Sequence, residues 1–206
     1  TPDLPGQQFA IAKHQSDGVQ QIAVAPDGMI WLTSTSSGLY RFDPEDQSIR
    51  HYSIAPASVP VLPSNNLPCV TIATIDEIWL CSDKGLLKLE PQSGQLTQWT
   101  TADGLPDQRV IAIDAKASDS LWLSTRRGMA QLQYAKQNQP QQIRSFVEQD
   151  GIPSLLLEPR ALTADANGSF YLGTAKGVLS FSPKDLIAPK VTATLALSSL
   201  QLDNQR

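Results

Sequence analysis

Apolar and polar residues alternate along most of the chain in runs of about five, each closed by Gly, Pro, Asn or Asp. The first group of runs reads Gln20–Ala25, Met29–Thr33, Gly38–Asp43 and Ser48–Ser53, punctuated at Pro26-Asp27-Gly28 and Pro44–Gln47. A second reads Cys69–Thr74, Glu77–Cys81, Gly85–Glu90 and Gln95–Thr100, and a third Val110–Ala115, Ser120–Ser124, Gly128–Tyr134 and Ile143–Glu148. A fourth has three clear runs, Arg160–Ala164, Ser169–Gly173 and Gly177–Ser182, with Asn167-Gly168 as a hairpin turn. No 3.6-residue period persists over twelve residues. The pattern predicts an all-β chain made of antiparallel hairpins.

The four groups are copies of one unit. Each holds an aromatic followed by Leu on its second run: Ile30-Trp31-Leu32, Ile78-Trp79-Leu80, Leu121-Trp122-Leu123 and Phe170-Tyr171-Leu172. The aromatics lie 48, 43 and 49 residues apart, and a Gly follows each after 7, 6, 6 and 6 residues. Four short strands repeated every 40–50 residues are the signature of β-propeller blades. A four-stranded blade has two apolar faces and buries them only against neighbouring blades. The repeated Trp or Tyr is therefore expected to fill each blade-to-blade gap, as packing and not as chemistry.

Between the groups stand Asp103-Gly104-Leu105-Pro106 and Asp150-Gly151-Ile152-Pro153, with weaker forms at Asp17-Gly18 and Asn65-Asn66-Leu67-Pro68. Such a link, then an Ile/Val-rich strand, then Leu121-Trp122-Leu123-Ser124-Thr125 and Gly128, resembles the two-component regulator propeller repeat. The stretch Ala188-Pro189-Lys190-Val191 to Leu200-Gln201-Leu202 resembles the opening of the Ig-like domain that follows such propellers. The resemblance implies propeller blades over 1–187, part of a larger ring, and a strand or linker toward an Ig-like domain over 188–206. It also implies a periplasmic, non-enzymatic sensor module of a bacterial signalling protein, ahead of a transmembrane helix and a histidine kinase or diguanylate cyclase. Membrane contact is then expected only through that parent protein. The alternatives are a propeller lyase of the streptogramin-lyase kind and a protein–protein scaffold. The fourth strand of the last blade is open between Phe9–His14 and Val191–Leu197.

Charge narrows the partners. Sixteen Lys+Arg against 20 Asp+Glu give a formal charge of −4 without a basic block, which argues against nucleic acid. No catalytic set, metal motif or phosphate loop emerges, and no cofactor is expected. His14 and His51 fall in outer strands, and Asp27, Asp43, Asp114 and Asp165 in or beside turns, where a carboxylate caps its own backbone. The corners before the repeated Gly carry Lys84, Arg126, Arg127 and Lys176. On the link side of the blades these cations would attract an anionic or carbohydrate ligand such as an acidic oligosaccharide. Open blade faces would favour self-association. Cys69 and Cys81 fall on adjacent strands; two buried thiols are the default expectation and a disulfide the alternative.

Overall fold

The computed structural model describes residues 18–115, 120–133, 142–152, 157–182 and 186. Their strands form four antiparallel sheets in the blade arrangement of a β-propeller. The first sheet is β1 (Val19–Val24), β2 (Ile30–Ser34), β3 (Leu39–Phe42) and β4 (Ile49–Tyr52), in that order. The second is β5 (Val70–Thr74), β6 (Glu77–Ser82), β7 (Gly85–Glu90) and β8 (Gln95–Trp99). The third is β9 (Val110–Asp114), β10 (Ser120–Thr125), β11 (Gly128–Gln133) and β12 (Gln142–Phe146). The fourth has β13 (Leu157–Ala164), β14 (Phe170–Thr174) and β15 (Gly177–Phe181). Each expected strand is present, with ends displaced by a few residues. Phe9–His14, Val191–Leu197 and the Ig-like stretch 188–206 lie outside the described residues.

The aromatic of one blade packs against the next blade. Trp31 shares a core with Ile78, Leu80, Leu87 and Leu89 of the second blade. Trp79 does so with Leu121, Leu123, Ala130 and Leu132 of the third. Trp122 meets Phe170 and Leu172 of the fourth. All three indoles are buried. Tyr171 breaks the series: it is 39% exposed, and its hydroxyl donates to Asp165 at 3.3 Å. Sequence equivalence put it in a blade gap, but a forward-facing ring is buried only by a following blade, and none lies among the described residues. At the other end, Ile22, Val24 and Ile49 are exposed on the back of the first blade.

Each link acts as a plug. Leu67, Leu105 and Ile152 insert, buried, into the first, second and third junctions respectively. In the second and third links the Asp carboxylate folds back onto the strand end. Asp103 Oδ2 accepts from Thr100 N and Asp150 Oδ2 from Val147 N, both at 2.8 Å. The reversal needs left-handed backbone, which Gly104 (φ 105°) and Gly151 (φ 88°) supply. The Asp-Gly-Leu/Ile run is thus a cap, a hinge and a plug in three residues.

Cys69 and Cys81 are joined as a disulfide, with Cα atoms 5.0 Å apart, which corrects the default of two thiols. Cys81 N donates to Cys69 O at 3.0 Å, so the two face each other on paired strands. The two-residue turn between β5 and β6, together with the register shift between Ile72 and Thr74, brings Cys69 opposite Cys81 and settles the register the sequence left open.

Candidate functional site

The corner between the second and third strands of a blade is built the same way three times. Ser82, Thr125 and Thr174 hydroxyls donate to the carbonyls of Gly85, Gly128 and Gly177 at 2.7, 2.9 and 3.0 Å. The same oxygens accept from the amides of Lys84, Arg127 and Lys176 at 3.0, 3.2 and 3.2 Å. A Ser/Thr-X-Lys/Arg-Gly run therefore closes its own turn and leaves the cationic side chain outward. Gly128 (φ 143°) is required here, because a Cβ would collide with the Phe146 carbonyl.

The corners and the links share one end of the blades, as expected. Arg127 Nε lies 3.7 Å from Asp107 Oδ2, just after the Gly-Leu-Pro link. At this end a cleft of about 630 Å³ opens between the third and fourth blades. Arg126 and Arg127 enter from one side with Asp107 and Ile111; Leu157, Glu158, Pro159 and Ala175 close the other. Of the four predicted cations the structure brings only Arg126 and Arg127 into this cleft. Lys84 stands on the second blade, where its carbonyl accepts from Gln98 Nε2 at 2.6 Å, and Lys176 lies just beyond the rim residue Ala175.

The carboxylates Asp107 and Glu158 were not singled out in the sequence. Asp107 had a signal, since it follows a link already placed at the same end. Glu158 had none. It sits in an irregularity of β13, where Leu157 pairs with Thr174 and Leu162 with Leu172. Five residues on β13 thus span two on β14, and the excess bulges out of the ladder. Arg160 in that bulge holds φ 61°, and its guanidinium donates to the carbonyl of Gln20 on β1. The bulge carries Glu158 and Pro159 to the cleft wall.

A second cavity, of about 520 Å³, runs between the first strands of the second, third and fourth blades. Asp114 is the one ionisable residue among the described lining residues; it is buried and accepts from Ala164 N of the next blade at 3.1 Å. Asp114, expected beside a turn, ends β9, and its Oδ2 reaches across to the next blade. Asp27 and Asp43 do cap local amides, at 3.1 and 2.9 Å. Asp165 accepts from Asn167 and Ser169, both at 2.9 Å, and the Ser169 amide above all holds its pKa below the usual 3.8. His51 lies on the outer strand β4, ring-stacked on Tyr40 with centroids 4.3 Å apart, away from the cleft. Among the described residues no group of three or more His, Cys, Asp and Glu side chains could hold a metal. None of the described helices is long and apolar enough to cross a membrane.

No family model matches the chain, and no curated protein matches it. Solved structures share its fold. One is the extracellular domain of the hybrid two-component system BT3049 from B. thetaiotaomicron, at 20% identity and TM-score 0.68, over 82% of this chain and 23% of that one. PorZ, a surface component of the type-IX secretion system of Porphyromonas gingivalis, aligns at 16% identity and TM-score 0.60, over 89% and 28%. Virginiamycin B lyase from Staphylococcus aureus aligns at 16% and 0.59, over 85% and 59%. The chain spans about a quarter of the length of the sensor domain. At these identities the likeness is one of blade architecture.

Proposed function

We propose that this chain is a non-catalytic, extracytoplasmic sensing module that binds a small ligand in the cleft between its third and fourth blades. The observation that carries the reading is the position of that cleft. It lies across a blade junction, so an occupant touches Arg126 on one blade and Glu158 on the other and changes how the two sit together. Such a displacement is a signal that a downstream kinase or cyclase could receive. Two further facts support the reading. A buried disulfide belongs to an oxidising compartment such as the periplasm. The blade architecture is also that of extracellular sensor domains.

Thermal unfolding in the presence of amino acids, dipeptides, neutral sugars and uronates tests this. A ligand at a hundredfold excess over its Kd adds about 2.7 kcal/mol, which raises Tm by about 5–10 °C in a domain of this size. At least one compound is expected to do so in the native chain and to fail in Arg126→Ala/Arg127→Ala. A compound set without any such response removes the cleft as a ligand seat.

We also propose that the open faces at the two ends join in a second copy. Ile22, Val24 and Ile49 stand exposed on the back of the first blade, around the buried Leu32, Tyr40 and Phe42. That face is therefore built to receive the forward face of another blade. Tyr171 and Val178, the latter 74% exposed, present such a face on the fourth. Analytical ultracentrifugation is expected to show concentration-dependent dimers or longer chains, with Val178→Asp held as a monomer. A chain monomeric at every concentration contradicts the proposal.

A further inference from the structure

The charges in the cleft differ from the ring of cations that the corners suggested. Arg127 faces Asp107 at 3.7 Å, so that pair contributes little net field. Arg126 and Glu158 remain. Both are exposed, both line the cleft, and they stand on opposite blades. Neither forms an ion pair with the other or with any other described residue. Between them the wall is aliphatic: Ile111, Leu157, Pro159 and Ala175.

Each ligand class meets this arrangement differently. A polyanion gains Arg126 but is repelled by Glu158. A sugar ring is usually held by an aromatic platform against its C–H face, and among the described residues no aromatic side chain lines the cleft. A molecule with a cation at one end, an anion at the other and a short apolar body between them satisfies both charges and the aliphatic wall. A cleft of about 630 Å³ lies within the range of pockets that enclose small organic ligands.

We propose that the cleft takes a zwitterion, a free amino acid or short peptide, with its carboxylate on Arg126 and its ammonium on Glu158. This rests on the cleft being the ligand seat. Arg126 suits the carboxylate because a planar guanidinium donates two parallel N–H bonds to it. Glu158 accepts from the ammonium. The ligand then ties the third blade to the fourth through two opposite charges.

Isothermal titration calorimetry of the full chain at low salt tests the class with four probes: L-alanyl-L-alanine, its N-acetyl form, its C-terminal amide and trigalacturonate. The free dipeptide is expected to bind, and each blocked form to bind about tenfold more weakly or worse. Arg126→Ala should erase the difference between carboxylate and amide. Glu158→Gln should erase the difference between free and acetylated amine. Both positions are exposed, and far-ultraviolet circular dichroism checks that the variants remain folded. Trigalacturonate binding more tightly than the dipeptide, and more tightly still to Glu158→Gln, overturns the zwitterion while leaving the cleft as a ligand seat. So does silence from all four probes when the wider compound set yields a cleft ligand of another class. Silence in both experiments overturns the two readings together.

Discussion

Trp122→Ala lowers the free energy of unfolding by about 3–5 kcal/mol, whereas Tyr171→Ala, at the equivalent place in the repeat, lowers it by about 1 kcal/mol or less. Trp122 is buried and its ring is shared across a junction. Phe146 of its own blade lies 5.5 Å away, Phe170 of the next 4.9 Å and Phe181 6.0 Å, centroid to centroid. Removing the indole leaves a cavity among Met129, Ile152, Leu162 and Leu172 that two packed sheets cannot collapse to fill. Tyr171 has one side against its sheet and the other in solvent, so its truncation removes little buried surface. Urea unfolding at matched protein concentration measures both, below the range in which copies associate. Equal losses at the two positions would contradict the blade order described above.

Removing the Cys69–Cys81 bond costs about 3 kcal/mol, the chain-entropy value for a loop of this size. The cross-link closes 12 residues and lies in the core between the second and third blades, where both cysteines are buried. Cys69→Ala/Cys81→Ala is expected to shift the urea midpoint down by that amount. Alkylation under denaturing conditions offers an independent check. Protein prepared in air should take up no label until it is reduced, and two labels afterwards. Two labels without reduction would show that the thiols are free and remove the cross-link from the account of compartment as well.

The strand pattern could be read because each blade is local. Its turns close within a few residues, and devices such as Thr125-Arg126-Arg127-Gly128 and Asp103-Gly104-Leu105 satisfy their own backbone groups. The aromatic period announced that the sheets stack, since a strand with apolar residues on both faces buries them only between two other layers. Arg126 and Arg127 were likewise visible as site candidates, being outward cations at a corner whose end of the blade was known.

What could not be read was whatever depended on a neighbour. Trp122 and Tyr171 occupy the same repeat position, yet one is core and the other surface, because burial is conferred by the next sheet and not by the residue. The bond from Ala164 N to Asp114 of the preceding blade had no sign in the sequence. Cys69 and Cys81 were one residue of register from lying on opposite faces. Glu158 reached the cleft only through the bulge between Leu157 and Leu162. The amino-acid order by itself determined the strands, their turns and the repetition, all short-range consequences of backbone hydrogen bonding and side-chain alternation. The tertiary structure decided which aromatics are buried, which sulfurs meet and which charges face one another across the cleft, since each is a distance between blades that are far apart in the chain.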